Sequence, residues 1–173
     1  MKRFASVAVV TVVLAAGCDD SPTSPSDPNA IVMVASLLPG NEVPPVSNED
    51  ATARGSMRVT FNVTRDGGNN ITGGTATFFV SLTGFPEGTT LTGAHIHPGA
   101  AGVNGGVVVN TGLSAANSTG AIVNGGANLT FAPVAVSATL MNSIVANPEN
   151  FYFNVHTTRN APGAIRGQLS REN

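Results

Sequence analysis

The chain carries three histidines, and all of them lie in two short runs where apolar and polar residues alternate. His95 and His97 belong to Ala94-His95-Ile96-His97, and His156 to Phe153-Asn154-Val155-His156-Thr157. Side chains two apart on a strand share a face, so His95 and His97 point together, with backbones roughly 7 Å apart. In the second run Phe151, Phe153 and Val155 share the apolar side, which turns Tyr152, Asn154 and His156 to the other. If the two strands are neighbours, three imidazoles converge. Imidazole suits zinc and copper, and three such ligands leave a position open for water. The same residues fit a plainer role, in which they hydrogen-bond loop backbone while Asn154, Thr157 and Arg166 complete a polar cluster at one rim.

Other chemistry has little to work with. There is no Gly-x-Ser-x-Gly elbow, and no paired carboxylates stand near the histidines. A histidine-plus-carboxylate base would have to draw Glu42, Glu49 or Asp50 from a distant loop. No catalytic residue is therefore assigned. Gly102-Val103-Asn104-Gly105-Gly106 lacks the lysine and following helix of a phosphate loop and reads as a turn. The formal net charge is −2; without Lys2 and Arg3 the eight basic residues fall to six arginines against ten acidic groups. Such a balance excludes nucleic acid as a partner.

The elements that must position the histidines are strands. Only 10% of residues are charged while 20 are Gly and 11 Pro, a composition of short strands and turns. Ile31-Val32-Met33-Val34 with Leu37 and Leu38 gives a first strand, stopped by Pro39-Gly40 and Pro44-Pro45. Alternation from Met57 to Thr64 places Met57, Val59, Phe61 and Val63 on a buried face. Asp66-Gly67-Gly68-Asn69 turns the chain into a partner strand over 75–82, making a hairpin. Further strands are expected over 91–97, 107–110, 127–131, 151–157 and 164–169. Val136, Leu140, Met141, Ile144 and Val145 fall on one helical face, which predicts a short helix over 136–146, closed by Asn147-Pro148. Seven or eight short strands favour an all-β antiparallel sandwich or barrel.

The first residues read as a processing signal. Lys2 and Arg3 precede an apolar stretch from Phe4 to Ala16, and Leu14-Ala15-Ala16-Gly17-Cys18 follows as a lipobox. That stretch is too short to span a bilayer. Residues 1–17 are expected to be a lipoprotein signal peptide and Cys18, the only cysteine, the lipidated residue. Several acyl chains on one cysteine suffice for lasting attachment. Residues 18–29 hold three prolines and no large apolar side chain, so they are expected to form a flexible tether below a domain over 30–171. The expected location is the bacterial cell envelope after export, with the membrane as partner through the lipid.

Four motifs in order resemble the CHRD, or chordin-type, domain family. They are Asn41-Glu42-Val43-Pro44-Pro45, Gly93-Ala94-His95-Ile96-His97 with Gly102-Val103-Asn104-Gly105, Asn154-Val155-His156-Thr157, and Pro162-Gly163-Ala164-Ile165-Arg166-Gly167-Gln168-Leu169. The resemblance spans about Ile31 to Leu169. It implies an immunoglobulin-like β-sandwich and a binding role, since CHRD domains occur in extracellular chordin, which binds bone morphogenetic proteins, and in exported bacterial proteins. One departure is Ala164, where members often carry Glu before Ile-Arg-Gly. The His-x-His strand is also distantly similar to that of copper/zinc superoxide dismutases, although three histidines fall short of their ligand set.

Two expectations follow. One is a non-catalytic, lipid-anchored surface module that recognises a protein or glycan, or supports the envelope, through its loops. The other is a zinc- or copper-binding envelope protein, redox-active in the copper case, that uses His95, His97 and His156.

Overall fold

A computed structural model describes residues 27–172. The expected signal peptide, Cys18 and most of the tether lie outside the described residues.

Ten strands and one helix build two antiparallel sheets. In chain order they are β1 (Ala30–Leu37), β2 (Arg54–Arg65), β3 (Ile71–Thr83), β4 (Leu91–Pro98), β5 (Val109–Asn110), β6 (Ala127–Thr130), β7 (Val134–Ser137), α1 (Ala138–Ala146), β8 (Phe151–Thr157), β9 (Ile165–Gln168) and β10 (Ser170–Arg171). The larger sheet runs β10-β1-β2-β3-β6, with β7 also on β3, and the smaller runs β5-β4-β8-β9. This is the all-β sandwich expected from the strand spacing, and it is not a barrel. No helix among the described residues is long and apolar enough to cross a membrane.

Pleat parity explains the core. The alternation in β2 buries Met57, Val59, Phe61 and Val63 while Arg58, Asn62 and Thr64 stay outside. In β8 the inward residues Phe153 and Val155 are fully buried, and Phe153 stacks on Phe78 of β3, with ring centroids 5.8 Å apart. That pair joins the two sheets. Two large aromatics buried against each other contribute several kcal/mol of the sandwich's cohesion, of order 1.5–3 kcal/mol per side chain.

The β2–β3 hairpin turns at Asp66 as expected. Asp66 Oδ1 accepts from the backbone N–H groups of Gly68 and Asn70, at 2.9 Å each, and Asn69 takes a left-handed φ of 67°.

Several boundaries differ from the sequence reading; β2 and β3 run longer at both ends, as Arg54–Arg65 and Ile71–Thr83. The helix begins at Ala138, with Ser137 as its N-cap, and Val136 belongs instead to β7, opposite Gly74. Helical periodicity ran through Val136, but an open ladder edge on β3 claims its backbone. The 107–110 run contributes only Val109–Asn110 as strand, leaving Val107 and Val108 exposed in a loop. The 164–169 run contributes Ile165–Gln168.

Candidate metal centre

β4 and β8 are neighbours in the smaller sheet, and their register decides the site. Gly93 pairs with His156, His95 with Asn154, and His97 with Tyr152. Paired residues of an antiparallel ladder project to the same face. Ala94, Ile96, Phe153 and Val155 fill the core, so the three histidines, Tyr152 and Asn154 stand together on the outer face. β9 adds Arg166 opposite Asn154 and Gln168 opposite Tyr152.

One ring nitrogen from each of His95, His97 and His156 lies within 4.8 Å of the others. His95 Nδ1 and His156 Nε2 are 3.0 Å apart. Two imidazole nitrogens bound tetrahedrally to one zinc, with bonds of about 2.0–2.1 Å, sit about 3.3–3.4 Å apart. This pair therefore needs only a small opening to share an ion, while His97 needs a swing of about an ångström more.

Two of the rings are anchored through their far nitrogens. His156 Nδ1 donates to Ala161 O at 2.8 Å, and His97 Nδ1 to Gly105 O at 2.9 Å. Such carbonyl anchors fix the tautomer and leave Nε2 as the nitrogen with the lone pair, the arrangement metal-binding histidines use. His97 Nε2 lies 3.1 Å from Asn154 Oδ1.

Burial and mutual repulsion disfavour the charged forms of His95 and His156. Desolvation, followed by the charges of His156 and His97, pushes His95 down to about 4. Desolvation also lowers His156, with the Ala161 hydrogen bond pulling the other way. Neutral imidazole is the form that ligates metal.

A second layer surrounds the rings. Tyr152 stacks on His97 with centroids 4.8 Å apart and planes 3° from parallel, and the Arg166 guanidinium sits 3.4 Å from the Tyr152 centroid. Arg166 is 1% exposed and donates to Asn104 Oδ1, Ala100 O and Val103 O, tying the 99–105 loop over the face. Glu42 enters from the loop after β1 and is also buried. Desolvation raises its carboxyl to about 7, against the charge of Arg166 and a hydrogen bond from Asn154.

The structure divides the residues of the polar cluster read from sequence between two places. Asn154 and Arg166 lie beside the histidines, but Thr157 has the opposite pleat parity to His156 and is withdrawn from them. Its hydroxyl donates to Asp50 Oδ2 at 2.8 Å, in a separate network with Arg159 and Asn160. Asp50 is consumed there. Glu49 pairs with Arg159, so of the three distant carboxylates only Glu42 reaches the site. Sequence reasoning did not place Asn104, Gly105 or Ala161, whose contributions come through loop geometry and main-chain carbonyls. Cys18 lies outside the described residues.

The CHRD domain model matches residues 33–169, which takes in the whole smaller sheet, most of the larger and every histidine. The chain belongs to the CHRD domain family. No curated protein and no solved structure matches it. The match covers the four motifs quoted from the sequence. CHRD membership is consistent with a binding or structural module, and the outer face of β4 and β8 is where this CHRD domain gathers its three histidines.

Proposed function

We propose that this chain is a lipid-anchored protein of the cell envelope whose CHRD domain binds one zinc or copper ion through His95, His97 and His156. The observation that carries the reading is the approach of His95 Nδ1 to His156 Nε2 within 3.0 Å, with the opposite nitrogen of His156 tied to a main-chain carbonyl. His95 and His156 are half-buried and His97 is buried, burial disfavours the charged forms of His95 and His156, and the ring nitrogens lie close to the spacing one ion requires. The role is capture of the metal, in keeping with a binding module. The lipobox supports anchorage, and the tether supports display of the domain away from the lipid surface.

The test is metal content. Chelator-stripped protein is loaded with zinc or copper(II), desalted and assayed by elemental analysis. The expected result is one ion per chain in the native protein and loss of that ion in His156→Ala. Absence of stoichiometric metal under every loading condition ends the reading. Anchorage is tested separately by the mass of the mature protein, expected to carry acyl groups on Cys18, and by Cys18→Ser, expected to release it from membranes.

A further inference from the structure

A strand at the edge of a sheet carries a row of unpaired main-chain groups, which proteins cover or guard with charge. Among the described residues, β10 closes one side of the larger sheet with Arg171, followed by Glu172, which pairs with Arg58. In the smaller sheet β9 is bridged to Leu38, and β5 is two residues long. On the remaining edge β7 runs straight into α1. β6 has neither a covering strand nor a charged residue.

The ladder shows which of its groups are free. Phe131 N–H donates to Phe78 O at 3.1 Å, and pairing then steps through Thr130 with Phe79, Leu129 with Val80 and Asn128 with Ser81. Hydrogen-bonded and open pairs alternate in an antiparallel ladder, so Leu129 is bonded to β3 while the N–H and C=O groups of Asn128 and Thr130 point away from it. Among the described residues those outward groups have no hydrogen-bond partner. Leu129 and Phe131 share the inward parity of Val80 and Phe78, yet both are only partly buried. A cleft of about 350 Å3 lies beside them, lined also by Leu113 and Asn117.

The sequence bears on what can fill that space. No Asp, Glu, Lys or Arg occurs from Gly88 to Pro148, a span that contains all of β6, β7 and α1. A charge on a strand that pairs with its own copy meets its like across the two-fold axis, and this edge has none to repel.

We propose that β6 pairs antiparallel with β6 of a second copy of this chain, joining two larger sheets into one. With the two-fold axis at Leu129, Asn128 of one copy lies opposite Thr130 of the other, and each free N–H meets a free C=O. Leu129 packs against its own counterpart on the inward face, while the polar Asn128 and Thr130 side chains meet on the outer face. The pairing is short, and copies gathered on one surface by the lipid anchor proposed above meet at a raised effective concentration.

The test is disulfide trapping of the full chain in its native membranes. Leu129 sits on the axis at a non-hydrogen-bonded pair, where Cα atoms approach to about 4.5 Å, within reach of a disulfide. Leu129→Cys is treated with diamide, which takes two electrons and two protons from two thiols as the S–S bond forms. The native chain, with Cys18 alone, and Val123→Cys, exposed in the turn before β6, set the background. The expected result is a disulfide-linked homodimer of Leu129→Cys, absent from both controls and lost when Thr130→Pro is added. Proline there removes an N–H that points away from β3, which an edge strand tolerates. Asn128→Pro removes the other outward N–H and serves if the first variant does not fold, as circular dichroism reads. No dimer above background overturns the proposal, as does a dimer that persists unchanged in the folded proline variant. Cross-linking of Leu129→Cys to a different protein, identified by mass, overturns it in favour of a foreign strand on the same edge.

Discussion

Gly93 faces His156 across the β4–β8 ladder, and the space its missing side chain leaves is occupied by the ring of His95. A Cβ built at Gly93 would lie 2.6 Å from His95 Cε1 and 3.5 Å from His156 Cδ2. The short contact between the two imidazoles thus depends on a glycine in the middle of a strand, where glycine is otherwise unfavourable.

Gly93→Ala is expected to push His95 off His156. Overpacking of this kind costs about 1–3 kcal/mol, and zinc affinity is expected to fall at least about tenfold. Thermal unfolding and chelator competition measure the two effects. Native-like values in both would show that His95 does not need that space.

Arg166→Met keeps the apolar stem and removes the guanidinium. It leaves Asn104 Oδ1, Ala100 O and Val103 O without their donor and takes the cation from over Tyr152. The expected loss of stability is about 2–4 kcal/mol. Amides of the 99–105 loop are expected to exchange faster while those of β2 and β3 hold, which hydrogen exchange resolves residue by residue. Uniform protection in the variant would mean that the loop is held by something else.

Glu42 gives the metal-free domain a pH signature. The unfolded chain releases the Glu42 proton near 4.5, whereas burial in the folded state holds it up to about 7. Between those values the folded state binds more protons, so stability from this group is present below about 4.5 and is lost as pH rises to about 7. Glu42→Gln is expected to remove that loss and gain on the native protein by up to about 3 kcal/mol across the window. Denaturant unfolding at the two ends measures it, and a stability gap that does not change with pH would contradict it.

Much of the fold was legible in the sequence because strand alternation and turn chemistry are local. Parity alone put His95 with His97, and His156 with Asn154 and Tyr152. It could not say that β4 and β8 are neighbours, since pairing between distant segments is decided by the whole sandwich. Thr157 was placed with the histidines although it is one residue from His156 and so on the other face, where Asp50 holds it. Val136 carried a helical spacing that β3 overrode with a ladder. Glu42 was one of three distant carboxylates the sequence offered and stands in the first family motif, but nothing local said that it, and not Glu49 or Asp50, would reach the histidines. Its arrival at Asn154 is a matter of how that loop closes over the small sheet, and no local pattern encodes it.

Arg166 grips the loop mainly by main-chain oxygens, Ala100 O and Val103 O, and a carbonyl is indifferent to the residue that bears it. Side-chain identity at the outward positions Ala101 and Val103 is therefore uncoupled from how the loop is latched. Reporter groups or altered surface chemistry can be mounted there without loosening the Arg166 contacts.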